Sequence, residues 1–291
     1  MKPAAFEYFN PGTVKEALNL LEQYGDNAKI IAGGQSLIPV MNFRLGRPEV
    51  LIDINGIEGL DYIKEEGNKL LIGALTRERD LEMSELVKQK CPILANAISN
   101  IGHVTIRNRG TIGGSIVHAD PSAEIPLALY ALNGAVKVVG PSDERTLTPE
   151  ELFLTYLTTS LEPSEILTEV SIPVFPDKTG WSFMELSRRK GDFAIAAVAC
   201  ILFTKENGIC KEARISLGGV APTPVRAEEA EDLLAGQELT DTLMEEAGRL
   251  AIGATDAESD YHASAEYRKD LTRVFVQKTL KEALTMAKGG K

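Results

Sequence analysis

The chain has 291 residues, 44% of them hydrophobic and 25% charged, and carries a formal net charge of −11. That length suggests two domains, and the composition is that of a folded globular protein, not a disordered chain. An acidic surface repels phosphate backbones and anionic lipid, which argues against nucleic-acid and membrane-surface binding.

In chain order, residues 13–25 read as an amphipathic helix. Thr13 and Glu16 fit a capping box, Ala17, Leu18, Leu20 and Leu21 supply the apolar face, and Gly25 ends it. Residues 29–32 and 50–54 read as strands on either side of Gly33-Gly34-Gln35-Ser36, so residues 1–55 form a small α/β unit. Leu70–Ala74 is a further strand, and residues 79–100 are helical with a break at Cys91-Pro92. Residues 101–115 are rich in glycine and β-branched residues, and 135–139 and 165–172 read as strands. Pro173, Pro176 and Gly180 mark a domain boundary near residue 176. Beyond it, strand-like runs at 181–187, 193–204 and 212–220 precede a helical tail from about 226, with fraying expected at Gly289-Gly290-Lys291. Strands followed by helices point to α+β.

Cys91, Cys200 and Cys210 are too few and too scattered for a disulfide framework, a zinc site or an ordinary iron–sulfur cluster. The first residues lack the apolar core of a signal peptide, and no stretch approaches the roughly 20 apolar residues of a membrane span. The expected setting is cytoplasmic, with reduced thiols. Any redox work would then fall to a bound cofactor.

Two segments about 80 residues apart share a pattern: Ala32-Gly33-Gly34-Gln35-Ser36 and Thr111-Ile112-Gly113-Gly114-Ser115. Glycine permits positive φ and close approach, and successive N–H groups can line a concavity that takes an anion. Two such nests, with the hydroxyls of Ser36, Thr111 and Ser115, would suit a diphosphate. A tight turn is the ordinary alternative for each. Neither segment has the glycine spacing of a Rossmann or P-loop motif.

Arg107 and Arg109 precede the second pair, and His118, Asp120, Ser122 and Glu124 follow it. Asp120 reads either as an acceptor for ribose or ribityl hydroxyls or as the N-cap of a helix starting at Pro121. His103 and His118 have no partners at metal-ligand spacing. Ser187–Phe193 reads either as a basic loop facing an interdomain cleft or as a solvated turn. Ser264–Lys269 is helical in pattern, and no nucleophilic triad can be assembled.

Taken in order, residues 32–37 (AGGQSL), 107–115 (RNRGTIGGS) and 188–193 (RRKGDF) resemble one family, the FAD-binding medium subunit of the molybdenum hydroxylases. This family includes carbon monoxide dehydrogenase and the flavin domain of xanthine dehydrogenase, and the resemblance covers nearly the whole chain. It implies a FAD-binding fold of the vanillyl-alcohol oxidase (PCMH) type over 1–176, with subdomains 1–55 and 56–176. A C-terminal domain of antiparallel sheet and helices would occupy 177–291. It also implies FAD-binding residues. Ile31, Ala32, Gly33, Gly34, Gln35, Ser36, Leu37 and Ile38 would form one diphosphate segment, and Thr111, Ile112, Gly113, Gly114 and Ser115 the other. Ile101 would lie beside the flavin ring, with Asp120, Glu124, Leu167, Lys190 and Asp192 completing the site.

By the same resemblance, molybdopterin sits in a large partner subunit and [2Fe–2S] clusters in a small one, assembled as a dimer of heterotrimers. This chain would take electrons from the clusters and pass them to an external acceptor. The competing readings are a free-standing flavin oxidoreductase and a nucleotide-binding assembly protein without redox activity.

Overall fold

The computed structural model describes residues 2–176, 179–205 and 208–289; the fraying expected at Gly290 and Lys291 lies outside them. The N-terminal helix spans Val14–Tyr24, with the Thr13 hydroxyl accepting from the Glu16 N–H at 3.2 Å. Such a cap stabilises a helix by about 1 kcal/mol. Only half of the capping box forms, because the Glu16 carboxylate accepts from the Gly12 N–H instead. This helix packs its Ala17, Leu18 and Leu21 face on a parallel sheet ordered Glu7–Phe9, Val50–Asp53, Ala28–Ile31.

A five-stranded antiparallel sheet follows, ordered Ile63–Glu66, Lys69–Gly73, Ile166–Pro173, Ala135–Val139, Glu144–Leu147. The expected helical stretch 79–100 breaks twice, into Glu78–Met83, Glu85–Lys90 and Pro92–Asn100. Ser84 causes the additional break. It leaves helical geometry and its hydroxyl accepts from the Val87 N–H, starting a new helix.

The last sheet runs Gly180–Leu186, Ala196–Thr204, Cys210–Gly218, Val225–Arg226, all antiparallel. Helices Glu228–Leu234, Asp241–Ala251 and Ala265–Ala287 come after it in sequence. Strand Ala196–Thr204 is apolar on both faces. Ala197, Ala199 and Ile201 join the core beneath helix Glu124–Ala131, while Val198, Cys200 and Leu202 join the core under the C-terminal helices. The architecture is α+β. No helix among the described residues is long and apolar enough to cross a membrane.

Candidate functional site

The first glycine pair follows strand Ala28–Ile31. Gly34 adopts φ +70°, which glycine reaches without the Cβ penalty. Gly33 has a different reason to be glycine: it is buried against the main chain of the second segment. A Cβ there would collide with the Arg109 carbonyl and lie 2.9 Å from Gly110 Cα. The Gln35 amide donates to the Gly33 carbonyl at 2.9 Å. Among the described residues, the N–H groups of Gly34, Gln35 and Ser36 make no hydrogen bond, and the Ser36 side chain caps nothing. Three consecutive donors are left open.

The second pair is not a loop. Gly113 and Gly114 lie in the first turn of helix Ile112–His118, and neither has positive φ. Every N–H from 112 to 115 already has a partner: Ile112 donates to Thr76 O (3.1 Å), Gly113 to Ala74 O (2.9 Å), Gly114 to Thr111 Oγ1 (3.1 Å) and Ser115 to Thr111 O (3.0 Å). The expectation of two equivalent amide nests is therefore corrected. Residues 74–78 run alongside the second segment and take the donors a nest would need.

That intervening segment also ties the two pairs together. Arg77 donates to the Arg109 carbonyl at 2.6 Å and to Asn55 Oδ1 at 2.7 Å, and Asn55 donates to the Ala32 carbonyl at 2.8 Å. The Glu78 N–H donates to the Gly110 carbonyl at 3.0 Å.

Both pairs open onto one cavity of about 1020 Å³, at the upper end of the range for small-molecule sites. Its lining includes every expected residue except Ile38, Ile112 and Lys190. Ile38 packs beneath Gly34, Ile112 is buried in the core, and Lys190 is exposed. Leu167 is buried in strand Ile166–Pro173 and contributes to the wall. Ile101 stands at the end of helix Pro92–Asn100, where Arg107 donates to its carbonyl at 2.7 Å. Arg107 is itself spanned by the Glu82 carboxylate at 2.8 and 3.2 Å, so it holds the wall and is not free for a ligand.

Asp120 is not a helix N-cap. Its carboxylate accepts from the Ser122 N–H at 2.9 Å in a turn, and the next helix begins only at Glu124. Burial pushes the Glu124 carboxyl up to about 8, assisted by like charge on Glu185, Glu78 and Asp120. In the basic loop, Arg188, Gly191, Asp192 and Phe193 reach the cavity. Gly191 has φ +89°, and a Cβ on it would sit 2.7 Å from the Gly102 carbonyl, so the loop lies directly on the Ile101–Gly102 corner.

Two contributors escaped the sequence reading. Arg268, buried in the last helix, donates to the carbonyls of Ile195 (2.5 Å) and Gly219 (2.9 Å) and to Asp260 (2.9 Å). It thereby holds Asp260, Tyr261 and His262 at the cavity. The other is Glu78, which is only 4% exposed and lines the cavity. Arg268 sits in a recognisable helix, but nothing in the local pattern announces that Glu78 is buried.

Comparison with known proteins agrees with this geometry. The family model described as FAD binding domain in molybdopterin dehydrogenase matches residues 4–175, and CO dehydrogenase flavoprotein C-terminal domain matches 181–283. The chain is 42% identical to the 6-hydroxypseudooxynicotine dehydrogenase complex subunit alpha of Paenarthrobacter nicotinovorans, over 99% of this chain and 97% of that one. It is 38% identical to the carbon monoxide dehydrogenase medium chain of Hydrogenophaga pseudoflava, over 97% and 98%. Among solved structures, a carbon monoxide dehydrogenase from Hydrogenophaga pseudoflava superposes with a TM-score of 0.96 at 40% identity, covering 98% of this chain and 99% of that one. Quinoline 2-oxidoreductase from Pseudomonas putida 86 gives 0.94 at 33% identity, covering 99% of each.

The chain therefore belongs to the family of FAD-binding domains of molybdopterin dehydrogenases. Within that class it is a FAD-binding medium subunit of the molybdenum hydroxylase type, a component of an oxidoreductase.

Proposed function

We propose that FAD lies in the 1020 Å³ cavity with its diphosphate on the open N–H groups of Gly34, Gln35 and Ser36. Those three unpaired donors are the observation that carries the reading. In a chain of net charge −11 they offer an anion site that needs no cationic side chain. The residues fit the cofactor: Ser115 adds a hydroxyl, while Asp120 and Glu124 present acceptors for ribityl or ribose hydroxyls. Ile101 and Leu167 would flank the ring system, with Asp192 at the border and Lys190 outside contact.

When bound, FAD supplies the redox chemistry, because a flavin accepts electrons singly and can release two together. The chain's part is to bind, orient and shield that group. In our reading the electrons come from [2Fe–2S] clusters of a small partner subunit, beside a large molybdopterin subunit, in a dimer of heterotrimers. They leave to an external acceptor, in the cytoplasm. In this reading the two functional units divide near residue 176, a boundary supported by the interval between the two family models.

The test is the visible spectrum of the purified chain, followed by co-purification with iron and molybdenum assays. Flavin absorbance and a metal-containing complex are expected. A colourless chain that refuses FAD sinks the proposal. A lone chain that turns over a substrate with its own flavin sinks the subunit reading.

A further inference from the structure

Among the described residues the Glu78 carboxyl makes no hydrogen bond: Oε2 is enclosed without a partner, and Oε1 is the oxygen left open on a residue 4% exposed that lines the cavity. Buried polar atoms are paired in the great majority of cases, and an orphaned one costs about 1–3 kcal/mol. Arg107, the cation that acts on it, does not satisfy it, because Arg107 is spanned by Glu82 and by the Ile101 carbonyl. The position is specific. The Glu78 carboxyl lies against Gly110, where a Cβ would overlap it, and Gly110 in turn lies against Gly33. Gly110 thus separates the Glu78 carboxyl from Gly33, and the carboxyl borders the cavity on the Gly110 side.

We propose that Glu78 is a cofactor-binding residue that faces the cavity as a neutral carboxylic acid and donates a hydrogen bond to the diphosphate-bearing part of the dinucleotide. This rests on the FAD reading above. An ionised carboxylate at the same place would repel the diphosphate, so binding requires the proton to stay on Glu78. The charged groups that bear on it are Arg107 on helix Val104–Arg107, the Glu82 carboxylate on its own helix that pairs with Arg107, and Glu124, which lines the same cavity. Burial dominates these and pushes the Glu78 carboxyl up to about 8, with Arg107 opposing.

The sign follows. Below about pH 8 the acid is neutral with or without cofactor, so affinity is flat. Above it, the free chain ionises and must regain a proton to bind, so affinity falls by up to about tenfold per pH unit.

The test titrates FAD into the apo full-length chain at about pH 7 and about pH 9, following flavin fluorescence. Wild type, Glu78→Gln, Glu78→Leu and Glu124→Gln are compared. Glu78→Gln keeps a donor that cannot ionise. It should bind within a few-fold of wild type at the lower pH and lose the weakening at the higher one. Glu78→Leu should bind about tenfold more weakly than wild type at the lower pH, the equivalent of one lost hydrogen bond, and approach wild type at the higher one. A second readout needs no FAD: the infrared carboxylic-acid band of the apo chain near neutral pH should lose intensity in Glu78→Gln, the remainder belonging to Glu124.

The proposal is overturned if Glu78→Leu binds like wild type at the lower pH, or if the pH dependence survives in Glu78→Gln and vanishes in Glu124→Gln. An acid band unchanged in Glu78→Gln also overturns it. If wild type binds no FAD at either pH, the cofactor reading and the donor role fall together, and the infrared band separately decides whether Glu78 is neutral.

Discussion

The two glycine pairs look alike as strings and behave differently as structure. At 33–36 the chain leaves a strand, turns through one positive-φ glycine and leaves three N–H groups open. At 113–114 the chain is already helical and all four N–H groups from 112 to 115 are consumed, two of them by carbonyls of the 74–76 segment. Only the first is a nest. The second is packing, and its glycines admit Ala74 and the Thr111 cap at close range. What a Gly-Gly pair does depends on which backbone lies across from it.

Substitutions break this contrast in order of size. Gly33→Val puts a side chain into the Arg109 carbonyl, so we expect a loss of about 3 kcal/mol in denaturant unfolding. Such a variant tests folding and not cofactor contact, so normal stability with lost FAD would contradict the packing described here.

Arg77→Ala removes both bonds that tie the segments together. It should cost about 2–3 kcal/mol in the same assay and loosen FAD binding, because the Arg109 carbonyl and Asn55 lose a charged donor.

The cavity between the pairs has its own signature in pH. Glu78 and Glu124 have folded values raised to about 8, above the ordinary carboxylate value. They favour the folded state fully below the unfolded value. That contribution is lost as pH rises towards 8, by up to about 1.4 kcal/mol per pH unit for each group. Chemical denaturation of the apo chain should show stability falling through this window, and Glu78→Gln should about halve the slope. A flat wild-type profile would show these acids to be hydrated.

Gly34→Ala should cost about 1 kcal/mol for its φ of +70° while weakening FAD retention, because the open N–H groups depend on that turn. Gly114→Ala should be mildest, about 0.5 kcal/mol, since its Cβ meets only the Thr111 hydroxyl at 2.8 Å. If Gly114→Ala abolishes FAD binding and Gly34→Ala does not, the roles of the two pairs are reversed.

Legibility followed the range of the forces involved. The Thr13 cap, the Gly25 stop and the apolar strand at 196–204 were readable, because caps and burial act within a few residues. The three motifs that carried the family resemblance all border one cavity. Illegible were the helical state of 112–118, the second break at Ser84 and the turn made by Asp120. Each was settled by a competing local hydrogen bond or by an adjacent segment.

By itself the sequence determined the α+β order of elements, the acidic surface, the shortage of cysteine ligands and the family. These depend on composition, short-range periodicity and motif order. Only the tertiary structure decided which amides stay free, that Arg268 holds 260–262 at the cavity and that Glu78 is buried without a partner. The physical reason is that an open donor or an orphaned carboxyl is defined by what is packed against it. For Gly33, Gly113 and Glu78 those neighbours, Arg109, Ala74 and Gly110, lie 76, 39 and 32 residues away along the chain.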